Sequence, residues 1–247
     1  MALTTIQRAF EMIEALLRLD GAGPARIARE FGIPRSTAHD YLRSLETTGY
    51  VIERDGVYRI SHQFLATGGR LKRRNPLYHV ARGELAALAR DTGEVANVSI
   101  EEGGQWILLH KELGERALDL GTYPGLHTPL HTHAAGKSIL ANLSESARTA
   151  IIENGLERMT EHTVTDPEEL EAELAAIRED GYAIDADQQV VGMGVVAAPL
   201  LVDGSVLGAV AIVCPSKRLL NEPYRRELTQ KVLESSDTIT VNYRFGG

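Results

Sequence analysis

Along the first fifty residues, apolar positions return every three to four places, the period of an α-helix. Ile6, Phe10, Ile13, Leu16 and Leu17 form one stripe across residues 5–19. Thr4 or Thr5 can cap its start, and Gly21 and Gly23 end it. Pro24 opens a second helix, where its missing N–H costs nothing, with Ile27, Ala28 and Phe31 on its inner face. Gly32 closes that helix in a tight turn. Pro34 opens a third helix that runs to about residue 47, with Thr37, Tyr41, Leu42 and Leu45 directed inward or nearly so and Gly49 as its stop. The period then drops to two. Residues 50–53 and 57–60 read as strands joined across Arg54-Asp55-Gly56, and Asp-Gly is a strong hairpin signal. Three helices and a hairpin in this order predict a winged helix-turn-helix.

Residues 62–74 are again helical in pattern, weakened by Gly68-Gly69, and Lys72-Arg73-Arg74 ends them before Asn75-Pro76. This divides the chain into a winged domain over 1–60, a linker helix over 61–76 and a second domain over 77–247. In the second domain, 77–91 is an amphipathic helix, and 94–101 and 105–111 alternate as strands around Glu102-Gly103-Gly104. A further strand is expected over 117–120 and a loop over 122–130. Helices follow at 133–142, 145–154 and 167–180, then a strand at 182–185. A hairpin of 195–202 and 206–213 surrounds Asp203-Gly204, and a last helix covers about 222–235. The order is α+β, with an antiparallel sheet expected to carry its helices on one face.

Composition narrows the setting. With 43% hydrophobic residues among 247, the chain can bury its core without staples. Its single cysteine, Cys214, excludes an intrachain disulfide and a Cys-rich zinc site and fits a reducing compartment. No apolar run approaches the ~20 residues of a spanning helix. The first residues lack a secretory pattern, so a cytoplasmic protein with no membrane partner is expected. The net charge of −8 argues weakly against nucleic acid, but its distribution reverses that reading. Residues 1–74 hold 12 Lys+Arg and 8 Asp+Glu; the rest hold 14 and 26. A basic head on an acidic body suits double-stranded DNA at one end only.

The third helix opens Pro34-Arg35-Ser36-Thr37, and its first backbone donors can face a phosphate. Arg35, Ser36, Thr37, His39 and Arg43 fall where a groove-bound helix presents side chains. Asp40 sits there too, and its carboxylate can accept from cytosine at a base edge. Arg54, in the wing, is placed to reach a phosphate or the minor groove. In the second domain, Ala134-Ala135-Gly136 at a helix start leaves small residues and N–H groups that can hold a carboxylate. His131 or His133 can add a hydrogen bond, and Asp185, at a strand end, can accept from a hydroxyl. Trp106 is either a pocket wall or a sheet-face core residue. His127, His131 and His133 with Asp185 or Cys214 contain the right atoms for zinc, but their spacing after Pro129 does not set them on one helix face, so no metal is expected. Cys214 has no base adjacent in sequence. No phosphate loop or useful carboxylate pair stands out, so neither an enzyme nor a cofactor is expected.

Four segments together resemble the IclR family of transcriptional regulators. They are TIQRAF at 5–10, the stretch 27–51, HTHAAGKSILA at 131–141, and the run from Arg178 through GYAID, VVGMGVVAAPL and GAVAIVCPSKRL. The resemblance spans nearly the whole chain. It implies an N-terminal winged helix-turn-helix that binds operator DNA and a C-terminal effector-binding domain with a GAF-like fold. It also implies dimers or dimers of dimers, and effectors such as organic, aromatic or sugar-derived acids or signalling lactones. The effector positions it carries over are Ala134, Ala135, Asp185, Met193 and Val195. The chain departs from the family in having Asp40 where a basic residue is frequent, Asp187-Gln188-Gln189 where many members have a Glu pair, and an apolar Val195 where acid-binding members have a polar residue. For dimerisation, the apolar face of residues 6–17 and the stretch 62–71 are the expected N-terminal contacts.

Overall fold

The computed structural model describes residues 4–118 and 120–246, and its contacts divide the chain into two compact units between Leu71 and Lys72. The first unit contains α1 (Thr4–Arg18), α2 (Pro24–Phe31), α3 (Arg35–Thr47), β1 (Val51–Arg54) and β2 (Val57–Ile60). Gly32, at φ 62°, supplies the left-handed residue that ends α2. Met12, Leu16, Ile27 and Leu42 form the centre of its core, closed by Val51 and Tyr58. Asp55 and Gly56, both at positive φ, make the two-residue turn whose twist matches the flanking strands. Reciprocal backbone bonds between Ala22 and Tyr58 tie this wing to the α1–α2 turn. The apolar stripe of α1 divides in two. Met12, Ala15 and Leu16 are buried, while Ile6, Phe10 and Leu17 are 54%, 61% and 64% exposed.

α4 (Gln63–Arg74) stays continuous through Gly68-Gly69 and buries none of its residues. Its first turns are held by Phe64 against the Tyr50 ring at 4.7 Å and by Thr67, 2.8 Å from the Tyr50 hydroxyl.

The second unit contains α5 (Pro76–Thr92), β3 (Val95–Glu102), β4 (Gln105–Leu113), β5 (His127–Pro129), α6 (Ala134–Ala141), α7 (Glu145–Glu153), α8 (Pro167–Asp180), β6 (Ala183–Ala186), β7 (Met193–Val202), β8 (Ser205–Pro215) and α9 (Glu222–Phe245). Its strands form one antiparallel sheet in the order β5-β4-β3-β8-β7-β6. The expectation of helices on one face is corrected. α5 and α9 cover one face through Ala96, Val98, Val196, Ala198 and Val210, and α6 and α8 cover the other through Trp106, Leu108, Val195, Ala197 and Ala211. The cause is visible in β7 and β8, whose central residues are apolar without alternation because both sides are buried.

Three further details differ from the pattern-based reading. Residues 117, 118 and 120 belong to no strand, and Asp119 lies outside the described residues. The segment expected as a loop contains β5, which exists through its pairing with β4. α9 runs on to Phe245 because Ser235 and Ser236 find partners. Ser235 donates to Glu84 Oε1 at 2.7 Å and Ser236 to the Pro199 carbonyl at 2.6 Å, and Ile239 is buried beyond them. Among the described residues, no helix is long and apolar enough to cross a membrane.

One irregularity positions the site. Val98 pairs with His110, but Ser99 pairs with Leu108, so Leu109 is an extra residue on β4. Leu109 joins the α5/α9 core and His110 packs beside Tyr78 of α5, whereas Leu108 and Lys111 line the opposite side.

Candidate nucleic-acid interface and effector cavity

In the first unit, Ala38, Leu42 and Leu45 turn α3 inward. Arg35, Ser36, His39, Asp40 and Arg43 then share an exposed arc spanning about 140° of the helix at ~100° per residue, with Thr37 half-buried at its border. Pro34 gives the helix no side-chain cap, so the first-turn N–H groups keep their capacity for an anion. His39 Nδ1 lies 3.9 Å from Asp40 Oδ1. Arg54 is exposed beside the wing turn. The arc therefore offers two guanidinium groups, small hydroxyls, an imidazole and a carboxylate, the donor and acceptor types that read base edges and phosphates.

In the second unit, a cavity of about 210 Å³ lies between the sheet and α6. Val95 and Asn97 of β3, Trp106, Leu108 and Lys111 of β4, Met193 and Val195 of β7, and Val213 of β8 form its sheet wall. His133 and Ala135 form the helix wall. Leu118, Leu120, Thr122 and Leu126 close one side, and Gln189 and Val190 close another. The lining is mainly apolar, with the ammonium of Lys111 as the one cationic group among its described residues. Asn97 Oδ1 and Trp106 Nε1 are buried in this wall without a hydrogen-bond partner. Buried polar groups are normally paired, so two orphans in one cavity wall mark a place where a bound molecule supplies partners.

His133 caps α6, its Nδ1 accepting from the Gly136 amide at 3.2 Å, with Nε2 3.2 Å from Thr128 Oγ1 and its ring edge-on to Trp106 at 4.7 Å. Burial, then Lys137 and His131, push its pKa down to about 3, so the ring is neutral. The expected residues separate accordingly. Trp106, His133, Ala135, Met193 and Val195 lie in the cavity wall; His131, Ala134 and Asp185 do not. His131 is buried and donates from Nε2 to the Glu157 carbonyl at 2.9 Å.

Asp185 occupies the position expected for a bound carboxylate. Its Oδ2 accepts from the Ala134 amide at 2.6 Å, so the fold's own carboxylate already fills the N-terminus of α6. Burial raises its pKa to about 7, against the lowering effects of the Ala134 amide and Lys137. Lys137, also buried, forms an ion pair with Glu173 of α8 and donates to Gln188 Oε1 at 2.6 Å. The Gln188 carbonyl in turn accepts from Thr160 and Thr163. This network fixes the 187–192 loop that brings Gln189 and Val190 to the cavity. Among the described residues, no group of three or more His, Cys, Asp or Glu side chains is placed to hold a metal ion. Pattern reading missed Asn97 and Lys111. Asn97 was detectable as a lone amide on an inward strand position, whereas Lys111 faces the cavity only because of the bulge.

A winged helix-turn-helix joined to a separate domain with a largely apolar cavity defines a DNA-binding transcriptional regulator with an effector domain. The match to known proteins specifies the group. A model of the IclR helix-turn-helix domain matches residues 5–55, and a model of the bacterial transcriptional regulator IclR C-terminal domain matches residues 70–241. The chain belongs to the IclR family and is a regulator, not an enzyme. It is 31% identical over 247 residues to the probable HTH-type transcriptional regulator ArcR of Halobacterium salinarum, covering 97% of this chain and 93% of that one. The crystal structure of the Thermotoga maritima IclR superposes with a TM-score of 0.82 at 25% identity, covering 99% and 100% of the two chains. An IclR homolog from Microbacterium hydrocarbonoxydans, solved with 4-hydroxybenzoate, superposes with a TM-score of 0.76 at 23% identity, covering 91% and 92%.

Proposed function

We propose that this chain binds an operator through Arg35, Ser36, Thr37, His39, Asp40, Arg43 and Arg54, and that a small organic acid held in the cavity controls that binding. In this reading, residues 1–60 read DNA, 61–76 link, and 77–247 sense. The carrying observation is the cavity wall itself: an apolar enclosure with one ammonium, from Lys111, and unpartnered polar atoms on Asn97 and Trp106. An anion pairs with Lys111, an apolar framework fills the middle, and oxygen substituents satisfy the two orphans. The N-terminus of α6, taken by Asp185, leaves Lys111 as the favoured anchor. Aromatic and short hydroxylated acids fit this set better than polyols or dicarboxylates. The chain acts as a dimer, with Ile6, Phe10 and Leu17 of α1 and Leu65 and Leu71 of α4 as the apolar contact.

Footprinting on the DNA upstream of the protein's own gene tests the first half, with a protected site expected. Equal affinity for that DNA and for random duplex, with equal salt dependence, overturns it. Titrations of Trp106 emission with 4-hydroxybenzoate, benzoate and gluconate test the second. The aromatic acids should quench and gluconate should not.

A further inference from the structure

A chain of three polar side chains lies on the other face of the strand that carries Lys111. Lys72, in the last turn of α4, places Nζ 2.8 Å from His110 Nδ1, and His110 Nε2 lies 2.9 Å from Glu112 Oε1. An ammonium only donates, so Nδ1 accepts and the ring proton is on Nε2, where it is donated to Glu112. Burial and the nearby Lys72 charge hold the His110 pKa below its ordinary value, and burial lowers that of Lys72. The imidazole is therefore a neutral ring in one tautomer. Tyr78 completes the cluster, edge-on to His110 at 5.2 Å and with Lys72 4.6 Å from its ring centre. The next residue of α4, Arg73, accepts at its carbonyl from His79 Nε2 at 2.6 Å.

Nothing in the core requires this chain. α5 is capped by Asn75, which accepts from the Leu77 amide, and is held by Leu77, Ala81 and Leu85. Its cost is considerable, since an ammonium and an imidazole are held in a partly dry place for contacts that ordinary packing could replace. Its position explains it. His110 and Glu112 flank Lys111 in sequence and point away from the cavity that Lys111 lines. Leu109, just before them, is the extra residue of the bulge and has no ladder partner, so β4 yields most easily there.

We propose that Lys72, His110 and Glu112 are positioning residues that transmit cavity occupancy to α4. This rests on reading the cavity as the effector site. An anion that draws Lys111 inward displaces the backbone of 110–112. His110 Nδ1 then leaves the line of Lys72 Nζ, and the last turn of α4 is released. The clamp has two arrangements, bonded and broken, and each site favours one of them.

Coupling between sites is reciprocal, so DNA can drive the change and the cavity can report it without a known effector. Trp106 is the only tryptophan, lies in the cavity wall and shares β4 with the clamp. The full chain is titrated with duplex from its own upstream region while Trp106 emission and bound DNA are followed separately. The wild type should shift its emission at saturation. Lys72→Met and His110→Phe should still bind the duplex, with an affinity altered by the lost coupling, and lose the shift, and Lys72→Arg, which keeps a donor, should retain both the wild-type affinity and the shift. Lys72→Met leaves the strand itself intact, so the test survives if His110→Phe folds poorly. A full shift in Lys72→Met, or no shift in a wild type saturated with duplex, overturns the clamp and leaves the regulator reading standing. A wild type without preference for the duplex overturns the regulator reading and the clamp with it.

Discussion

Asp185→Asn should make the protein's stability less sensitive to pH, in a direction opposite to that of a salt-bridged carboxylate. Asp185 has a pKa near 7 in the fold against 3.8 for an ordinary aspartate, with burial as the chief cause. Between those values the native state holds a proton that the unfolded chain does not, so stability falls as pH rises through the interval. At ~1.36 kcal/mol per pH unit, the loss is roughly 3.5 kcal/mol between pH 4 and pH 7, and it is roughly 2.5 kcal/mol over the window from pH 5 to pH 8. Asparagine keeps a carbonyl oxygen for the Ala134 amide and carries no titrating group. Relative to wild type, Asp185→Asn should therefore gain roughly 2.5 kcal/mol on going from pH 5 to pH 8, whatever constant offset the amide introduces. Urea unfolding followed by Trp106 emission reports the second unit selectively, because the only tryptophan lies there. Parallel pH profiles for the two proteins would refute the reasoning, since Asp185 would then be ionised in both states across the whole range.

Arg35→Ala and Arg43→Ala should each weaken operator binding by ~1–3 kcal/mol where the side chain pairs with a base, or reduce the salt slope where it meets phosphate. Thermal stability should hardly move, since both are exposed; unchanged binding in both variants would place the DNA elsewhere. Gly136→Ala should lower stability by ~1–3 kcal/mol, because the added methyl would collide with the Leu130 carbonyl. Calorimetry showing an unaltered melting temperature would contradict that close approach of α6 to the preceding turn. Phe10→Glu with Leu17→Glu should yield a 27.0 kDa species in light scattering with the first unit still folded, because both side chains lie outside its core. A persisting dimer would assign the interface to another surface.

The reader unit was legible because its signals are local. Pro24, Gly32 and Pro34 punctuate two helices within a dozen residues, and Asp55-Gly56 specifies its turn without help from distant contacts. In the second unit the decisive partners are remote. Asp185 bonds to an amide 51 residues away, and no pattern around either residue indicates it. β5 exists only against β4, and α9 continues past Ser235 only because Glu84 and Pro199 receive its serines. In the cavity wall, Ala135 is suggested by its place at a helix start, Met193 and Val195 come only with the family resemblance, and Trp106 reads as either pocket wall or core. The cation was not legible, because strict alternation of β4 from Trp106 would place His110 on that face and Lys111 on the other.

The bulge in β4 turns strand register into a chemical variable. The bulge holds one residue of slack at Leu109, and the slack alone decides whether an ammonium or an imidazole enters the cavity. Relocating it beyond Lys111, with every amino acid unchanged, would exchange the two side chains between the faces. The cavity would lose its cation, and α4 would face a lysine in place of a hydrogen-bond acceptor. Moving the bulge past Lys111 is thus a route by which such a protein can change the charge of the molecule it admits and the fastening of its linker in one event. Substitution at the wall would need several steps to achieve the same, and each intermediate would have to fold.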